Sequence, residues 1–145
     1  MQNPPPNQQG NETAKTALGL DANLGAALGY PIGIIALIVF IIEKENRFAR
    51  FHALQSLLCH IAWVVVFIVV AVLFTIIGIL AAAISSTSSA GGAVGGLLGI
   101  LITLVWLGVV LAYIGALLFA AFKAYSGSWF KFPIIGNMAE KIVNK

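Results

Sequence analysis

The side chains best suited to hold a metal ion lie between residues 52 and 60. His52, Cys59 and His60 are the metal-capable groups of this stretch. On a helix they share a broad face, but His52 and His60 lie about 12 Å apart along the axis, because each residue advances about 1.5 Å. One ion cannot be gripped by both ends of such a set. We therefore predict no metal site and no cofactor, and we expect His60 to be a neutral imidazole bonded to a neighbouring carbonyl.

The carboxylates offer no pattern that acid and base catalysis could use, since that chemistry needs paired acids or a nucleophile beside a base. The acids of the chain are Glu12, Asp21, Glu43, Glu45 and Glu140. Glu43 and Glu45 stand beside Lys44, which indicates solvated loop charges. The sequence also lacks a phosphate-binding loop, a dinucleotide fingerprint and a nucleic-acid module. We predict that the chain is not an enzyme and does not bind nucleic acid.

A third group of residues could bind a partner through aromatic and amide side chains. On a helix that starts after Asn46, the positions of Phe48, Phe51, His52 and Gln55 are three or four apart and share a face. One interpretation is an interfacial anchor, in which Arg47 and Arg50 meet anionic headgroups and the rings sit at the boundary. The other makes His52 and Gln55 a hydrogen-bonding pair for the C-terminal segment or for a partner. We favour the anchor.

The elements that must position these groups are membrane helices. Of the 145 residues, 60% are hydrophobic and 9% are charged, which is too apolar for an ordinary soluble domain. No charged residue lies between Ala53 and Phe122, and a polar, Gly-rich break at 85–92 divides this run in two. We predict an all-α integral membrane protein, in which Asp21 caps the first helix. Three transmembrane helices are expected, over 24–42, 51–83 and 93–122.

The ends of the chain differ from this membrane domain, which we place at 19–145. Residues 1–18 open with a stretch rich in Pro, Gln and Asn and are predicted to be a disordered tail. A signal peptide is the rival interpretation of this end, but a charged stretch, rather than a cleavage site, follows the first apolar segment. The C-terminal segment 123–145 is aromatic and basic. It is expected to lie at the membrane interface, with a short last helix after Pro133.

The cations indicate an orientation in the cell membrane. With three crossings, the first loop and the C-terminal tail share a side and hold seven of the eight Lys and Arg residues, and only Lys15 lies opposite. By the positive-inside rule the C-terminus is predicted to be cytoplasmic and the N-terminus outside. Anionic lipid headgroups are the expected partners of the basic side.

Small residues indicate where the helices approach each other. The predicted helix-packing positions are Gly91, Gly92, Gly95, Gly96 and Gly99. We favour packing within the monomer over a seam between two copies, although the chain itself or other membrane proteins remain possible partners. In the first span, Pro31 and Gly33 predict a kink whose freed carbonyls another helix must satisfy.

Two strings of residues carry a resemblance to a known family. They are 42–56, which includes Arg47 and the motif F-H-A-x-Q-S, and 132–136, which ends in P-x-x-G. The chain resembles a prokaryotic family of small membrane proteins of unknown function that is similar to the chloroplast Tic import component and includes the magnetosome proteins MamF and MmsF. The resemblance covers about residues 19–141. The positions that it singles out are Phe51, His52, Gln55, Pro133, Gly136 and Asn137, the last standing where many members have an acid.

Three functional hypotheses follow. The resemblance to the magnetosome proteins implies a non-enzymatic structural or assembly component that recruits partners. The resemblance to the import component implies a translocation or channel-like role, although no charge lines the spans. The third and least favoured is a metal or haem protein that uses His52 and His60.

Overall fold

The computed structural model describes residues 15–86 and 89–144 and the side chains of all of these except 89 and 90. The regular elements in this part of the chain are five helices: α1 Ala22–Leu28, α2 Gly33–Ile42, α3 Arg47–Ser85, α4 Ser89–Tyr125 and α5 Ile135–Val143. An isolated β-bridge joins Lys15 and Asp21, and the described residues form no strand. The all-α prediction is confirmed.

The chain divides into two compact units. The first unit comprises the residues up to Ile61 together with those from Ala116 onward, and the second comprises Ala62–Gly115. Helices α3 and α4 each contribute to both units.

Helices α3 and α4 are each long and apolar enough to cross a membrane. They contain 39 and 37 residues, which correspond to about 58 and 55 Å at 1.5 Å per residue. A hydrocarbon core of about 30 Å requires about 20 residues. The predicted spans 51–83 and 93–122 fall inside these two helices. Both helices are long because no Pro or polar break interrupts either segment.

The predicted first span, 24–42, is not a single helix. The residues between α1 and α2 include Pro31, which lacks an N–H group and interrupts helical hydrogen bonding. The two helices have 7 and 10 residues, or about 10 and 15 Å, which is too short for either to cross a bilayer alone. Asp21 precedes α1 as expected, but its side chain makes no capping hydrogen bond.

The two ends of this segment lie side by side. The backbone N–H of Ala17 donates a hydrogen bond to Oε2 of Glu43 over 2.7 Å. A single crossing would separate these residues by about 30 Å. The structure therefore does not confirm three spans. The expected placement of the chain before α1 opposite the first loop is likewise not supported, because Ala17 contacts that loop.

The predicted tail over 1–18 falls partly outside the described residues, which begin at 15. Within the described part, the chain from Lys15 to Leu20 forms a turn. The Thr16 N–H donates to the Leu20 carbonyl, and the Thr16 carbonyl accepts from the Gly19 N–H, both over 2.7 Å. Gly19 adopts a φ of 75°, a conformation that favours glycine. Thr16 is buried, so this end of the predicted tail belongs to the first unit.

Aromatic rings contact one another within the second unit, and the Ser85 hydroxyl donates to the Gly91 carbonyl over 3.1 Å where α3 ends. Trp63 stacks on Tyr113 with ring centroids 4.1 Å apart and planes at 5°, and it also stacks on Trp106 at 5.9 Å. Phe67 and Phe74 contact Trp106 from further along α3. These pairs lie between α3 and α4, so aromatic packing aligns the two helices in this unit.

The predicted helix-packing glycines divide into two groups. A Cβ on Gly91 would collide with the Ile84 carbonyl, and one on Gly95 would collide with the Ser85 hydroxyl. These two glycines permit close approach where α3 ends and α4 begins. A Cβ on any of the other three would meet no atom within 4 Å. The other three are Gly92, Gly96 and Gly99.

Candidate functional site

A buried hydrogen-bonded network joins three parts of the first unit. Tyr30 lies between α1 and α2, and His52 and Gln55 lie one turn apart on α3. The Tyr30 hydroxyl is 3.0 Å from His52 Nδ1, and Gln55 Nε2 donates to the same hydroxyl over 2.6 Å. All three side chains are fully buried. Buried polar groups of this kind are stable only when they are paired, and here each pairs with another.

The third part of the network is the strap, which we define as residues 128–132. His52 Nε2 lies 3.1 Å from the Ser128 carbonyl. Gln55 Nε2 donates to the Phe130 carbonyl over 3.1 Å, and the Phe132 N–H donates to Gln55 Oε1 over 3.2 Å. The carboxamide of Gln55 therefore makes two hydrogen bonds with the strap backbone, one donated by its NH₂ group and one accepted by its oxygen. This fixes the C-terminal segment against α3.

The partners of His52 determine its protonation. The Ser128 carbonyl can only accept, so Nε2 carries the proton and donates. Nδ1 is then the acceptor, and the Tyr30 hydroxyl donates to it. The same hydroxyl accepts from Gln55. One neutral tautomer satisfies every hydrogen bond of this set, so His52 acts as a structural link between Tyr30 and the strap.

Aromatic rings enclose His52. Phe48 and Phe51 contact its imidazole edge to face, with centroids 4.6 and 5.0 Å away, and Trp129 lies 6.5 Å away. Trp129 also contacts both phenylalanines, at 5.4 and 5.3 Å. The rings exclude water from the hydrogen bonds beneath them, which strengthens those bonds.

Helix α5 packs on the same region of α3. Its buried residues Ala139 and Val143 form a cluster with Phe51 and Leu54. Gly136 lies closest, because a Cβ there would come within 2.6 Å of Gln55 Oε1 and 2.9 Å of the Lys131 Cα. Only glycine fits at this position without displacing the strap. An ion pair of 2.6 Å between Lys131 and Glu140 also joins the strap to α5.

Hydrogen bonding between α1 and α2 matches the expectation of a kink whose freed carbonyl another helix satisfies. The Ser56 hydroxyl on α3 donates to the Gly29 carbonyl over 2.7 Å. Ser56 follows Gln55 in sequence and is also fully buried. The break between α1 and α2 is thus anchored to α3 twice, through Tyr30 and through Gly29.

A buried carboxylate organises the entry to α3. Glu43 Oε1 accepts from the backbone N–H groups of Glu45 and Asn46 at 3.0 and 2.9 Å, and Oε2 accepts from Ala17. Burial raises the pKa of Glu43, but these backbone donors outweigh it and the pKa is lowered. Asn46 in turn caps α3, since its Oδ1 accepts from the Ala49 N–H over 3.0 Å.

The sequence-predicted site residues fall into two sets. The structure brings together Phe51, His52, Gln55 and Gly136 in the network and its packing. It leaves Arg47, Pro133 and Asn137 exposed. Asn137 Nδ2 donates to the Pro133 carbonyl over 2.7 Å, so this amide serves the start of α5.

The interfacial-anchor interpretation does not account for His52 and Gln55, which are buried and bonded to the C-terminal segment. Sequence reasoning missed Tyr30, Ser56 and Glu43. Tyr30 and Ser56 had a usable signal, because a hydroxyl in an apolar stretch needs a partner. Glu43 gave none, since an acid in a charged loop is ordinarily solvated.

The described residues contain no group of three His, Cys, Asp or Glu side chains arranged to hold a metal ion. Both ring nitrogens of His52 are engaged. A metal at His52 would have to displace these bonds. His60 donates from Nδ1 to the Ser56 carbonyl over 2.8 Å, and a bond to a neighbouring carbonyl was expected. What the arrangement does chemically is hold one backbone segment against another.

Comparison with protein families gives a match to the magnetosome magnetite crystal formation protein family over residues 13–139. The UPF0132 membrane protein MJ1443 of Methanocaldococcus jannaschii is 33% identical over 144 residues, covering 88% of this chain and 93% of the relative. A UPF0132 membrane protein of Archaeoglobus fulgidus is 31% identical over 120 residues, covering 82% and 92%. No solved structure matches the chain.

Proposed function

Because this chain belongs to the magnetosome magnetite crystal formation protein family and is a membrane protein, we propose that it is a non-enzymatic structural component that recruits partners at a membrane. The observation that carries this role is the network of Tyr30, His52 and Gln55. Every side chain there bonds to the chain itself, and the result is a fixed C-terminal segment. Such a segment is suited to present a constant surface to another protein.

The membrane placement that we propose uses α3 and α4 as two crossings. The Ser-rich loop between them carries no Lys or Arg. The first unit, which holds the charged residues, then lies on the cytoplasmic side by the positive-inside rule. His52 and Gln55 near the start of α3 bond to the strap that follows α4. The chain therefore leaves the first unit along α3 and returns to it along α4, as two crossings require.

The family's name refers to magnetite crystals, but the role proposed for this chain involves no mineral. The described part of the chain offers no three-ligand metal cluster. A scaffold role needs only the fixed surface. A channel-like role, as in the import component, would need a polar path through the spans. Thr75 and Thr103 instead donate to the carbonyls of Ala71 and Gly99 on their own helices.

Releasing the strap tests the partner-recruiting role. The full chain carrying a labelling enzyme is compared in its native membrane with the Gln55→Leu variant, which loses the two strap hydrogen bonds of Gln55. The control is Ile79→Ala, at an exposed site in the second unit. We expect the control to label the same neighbouring proteins as the wild type. At equal abundance in the membrane, Gln55→Leu should label them at least tenfold less. Equal labelling by all three would contradict a role for the fixed C-terminal segment.

A flux assay separates the scaffold from the channel. Purified chain reconstituted in vesicles is expected to leave a trapped dye and an ion gradient unchanged relative to empty vesicles. Flux that grows with the amount of protein and disappears in a pore-blocking variant of α4 would favour conduction instead.

A further inference from the structure

We propose that the α1–α2 hairpin, residues 22–42, is a re-entrant segment that enters the cytoplasmic leaflet of the membrane and leaves it on the same side, with lipid acyl chains covering its exposed face. This inference rests on the membrane placement proposed above. It replaces a transmembrane crossing with a half-crossing and gives the chain two spans instead of three.

The ends of the hairpin establish that it returns. Ala17 and Glu43 are joined by a hydrogen bond, and Lys15 pairs with Asp21 in a β-bridge at the same end. The hairpin then returns directly into α3, which Asn46 caps. The residues just before and just after the hairpin therefore lie together, because Ala17 is bonded to the Glu43 carboxylate. A segment built in this way cannot have its two ends on opposite faces of a bilayer.

The depth of the hairpin is set by its contacts with α3. Ser56, which bonds to the Gly29 carbonyl, lies nine positions after Arg47, where α3 begins. At about 1.5 Å per residue this is about 14 Å along the helix. Half of a hydrocarbon core of about 30 Å is about 15 Å. The break between α1 and α2 thus reaches about as far as one leaflet is thick.

The backbone at this depth is compatible with lipid. Non-helical backbone is tolerated inside a membrane only where protein satisfies and covers it. Here Gly29 and Tyr30 are buried, and the Gly29 carbonyl has the Ser56 hydroxyl as its partner. This half of the turn is therefore shielded by α3. Pro31 and Ile32, which complete the turn, are exposed, but Pro31 has no N–H group and the Ile32 N–H donates to the Leu28 carbonyl over 3.3 Å.

The outer face of α2 is apolar and uncovered. Ile34, Leu37, Ile38 and Ile41 are 67%, 41%, 42% and 56% exposed. No charged residue lies between Asp21 and Glu43. A contiguous apolar face of this kind is unfavourable in water. Acyl chains are the occupant that fits the depth and the lack of any polar group.

The distribution of cations selects the leaflet. With the hairpin re-entrant, Lys15 lies on the same side as the first loop and the C-terminal segment. All eight Lys and Arg residues then lie on one side, instead of seven. Since the positive-inside rule counts these residues near span ends, a two-span chain with a re-entrant hairpin satisfies the rule better than three spans do.

Sidedness is the first test. In a Cys59→Ser background, which removes the only cysteine, single cysteines are introduced as Ala17→Cys, Glu45→Cys and Ser86→Cys. An impermeant maleimide is applied to right-side-out and inside-out vesicles. We expect positions 17 and 45 to react from the cytoplasmic face and position 86 from the other. If position 17 reacts together with position 86, the hairpin is a crossing and the inference fails. If position 86 reacts together with position 45, the two-crossing placement itself fails.

Depth is the second test. Spin labels are attached to Ile34→Cys and Ile41→Cys in vesicles, with Ile61→Cys as the control, because Ile61 is 54% exposed and lies about 21 Å along α3 from Arg47. The ratio of oxygen to nickel-chelate accessibility should be high at Ile34 and Ile61 and at least twofold lower at Ile41, which lies nearer the headgroups. A label at Ile34 that is accessible mainly to the nickel chelate, or to neither reagent, would rule out lipid as the covering medium.

Discussion

The two units of this protein are built by different physical means. In the first unit, buried polar groups satisfy one another, and Tyr30, His52 and Gln55 bind segments far apart in sequence. In the second unit, apolar side chains are exposed along both long helices, and the helices contact through stacked rings such as Trp63 on Tyr113. The packing of segments in the first unit is therefore determined by individual hydrogen bonds. The second depends mainly on length, apolarity and a few rings.

Glycines show the same contrast. Gly136 in the first unit has a side-chain oxygen and backbone within 3 Å of the position that a Cβ would take, whereas Gly99 in the second has open space. A glycine at a predicted packing position is thus necessary only where the tertiary structure brings another group against it. Four variants, described from the largest expected effect to the smallest, test this contrast.

The largest effect is expected from Gln55→Leu. The substitution leaves the Phe130 carbonyl and the Phe132 N–H without partners in a buried place, and each such group costs about 1–3 kcal/mol. We expect a loss of about 3 kcal/mol in the free energy of unfolding, measured by thermal or steric-trap unfolding in detergent. The matched polar-to-apolar change in the second unit is Thr103→Val, whose hydroxyl bonds only to its own helix. A loss as large in Thr103→Val would remove the distinction between the units.

Gly136→Ala is expected to have the next largest effect. The new methyl group would overlap Gln55 Oε1 and the Lys131 backbone, and overpacking of this kind costs about 1–3 kcal/mol. Limited proteolysis should show faster cleavage in the strap. Gly99→Ala provides the comparison, because alanine favours a helix over glycine by about 1 kcal/mol and nothing obstructs the methyl group. Destabilisation by Gly99→Ala would mean that its face is covered in the membrane.

Ser56→Ala should cost about 1 kcal/mol, because the Gly29 carbonyl loses the hydroxyl that donates to it while the hairpin keeps its link through Tyr30. Hydrogen exchange is the suited measurement. Faster exchange is expected around Tyr30 and Ile32, with α4 unchanged. Exchange that rises equally in both units would indicate global rather than local loosening.

The smallest effect concerns pH and Glu43. Because the pKa of the folded carboxyl lies below its ordinary value of 4.5, the stabilisation is present above that value and is lost as the pH falls below it, through the folded pKa. Thermal stability of the wild type should therefore decrease below about pH 4.5 more steeply than that of Glu43→Gln. Glu45→Gln, at an exposed position, is the control. Parallel curves for the wild type and Glu43→Gln would show that the carboxylate does not contribute.

Part of the candidate site was predictable from sequence. Helical spacing put Phe51, His52 and Gln55 on one face, and one of the two interpretations made His52 and Gln55 a pair that bonds to the C-terminal segment. Their partner Tyr30 was not predictable, because it lies 22 residues from His52 and 25 from Gln55. Helical periodicity relates residues only within a few turns of one helix, so it carries no information about such pairs.

The order of residues alone was enough to predict a helical membrane protein, the positions of its long apolar segments and the clustering of cations at their ends. These properties are sums over neighbouring residues, and apolar length and charge act without reference to the rest of the fold. The tertiary structure was needed to show that the two ends of residues 24–42 lie together, because an apolar segment is equally soluble in lipid whether it crosses or returns. The evidence for the returning path that we propose is two directional hydrogen bonds, from Ala17 to Glu43 and from Ser56 to Gly29. Such bonds form only once residues 26 and 27 positions apart have been brought together.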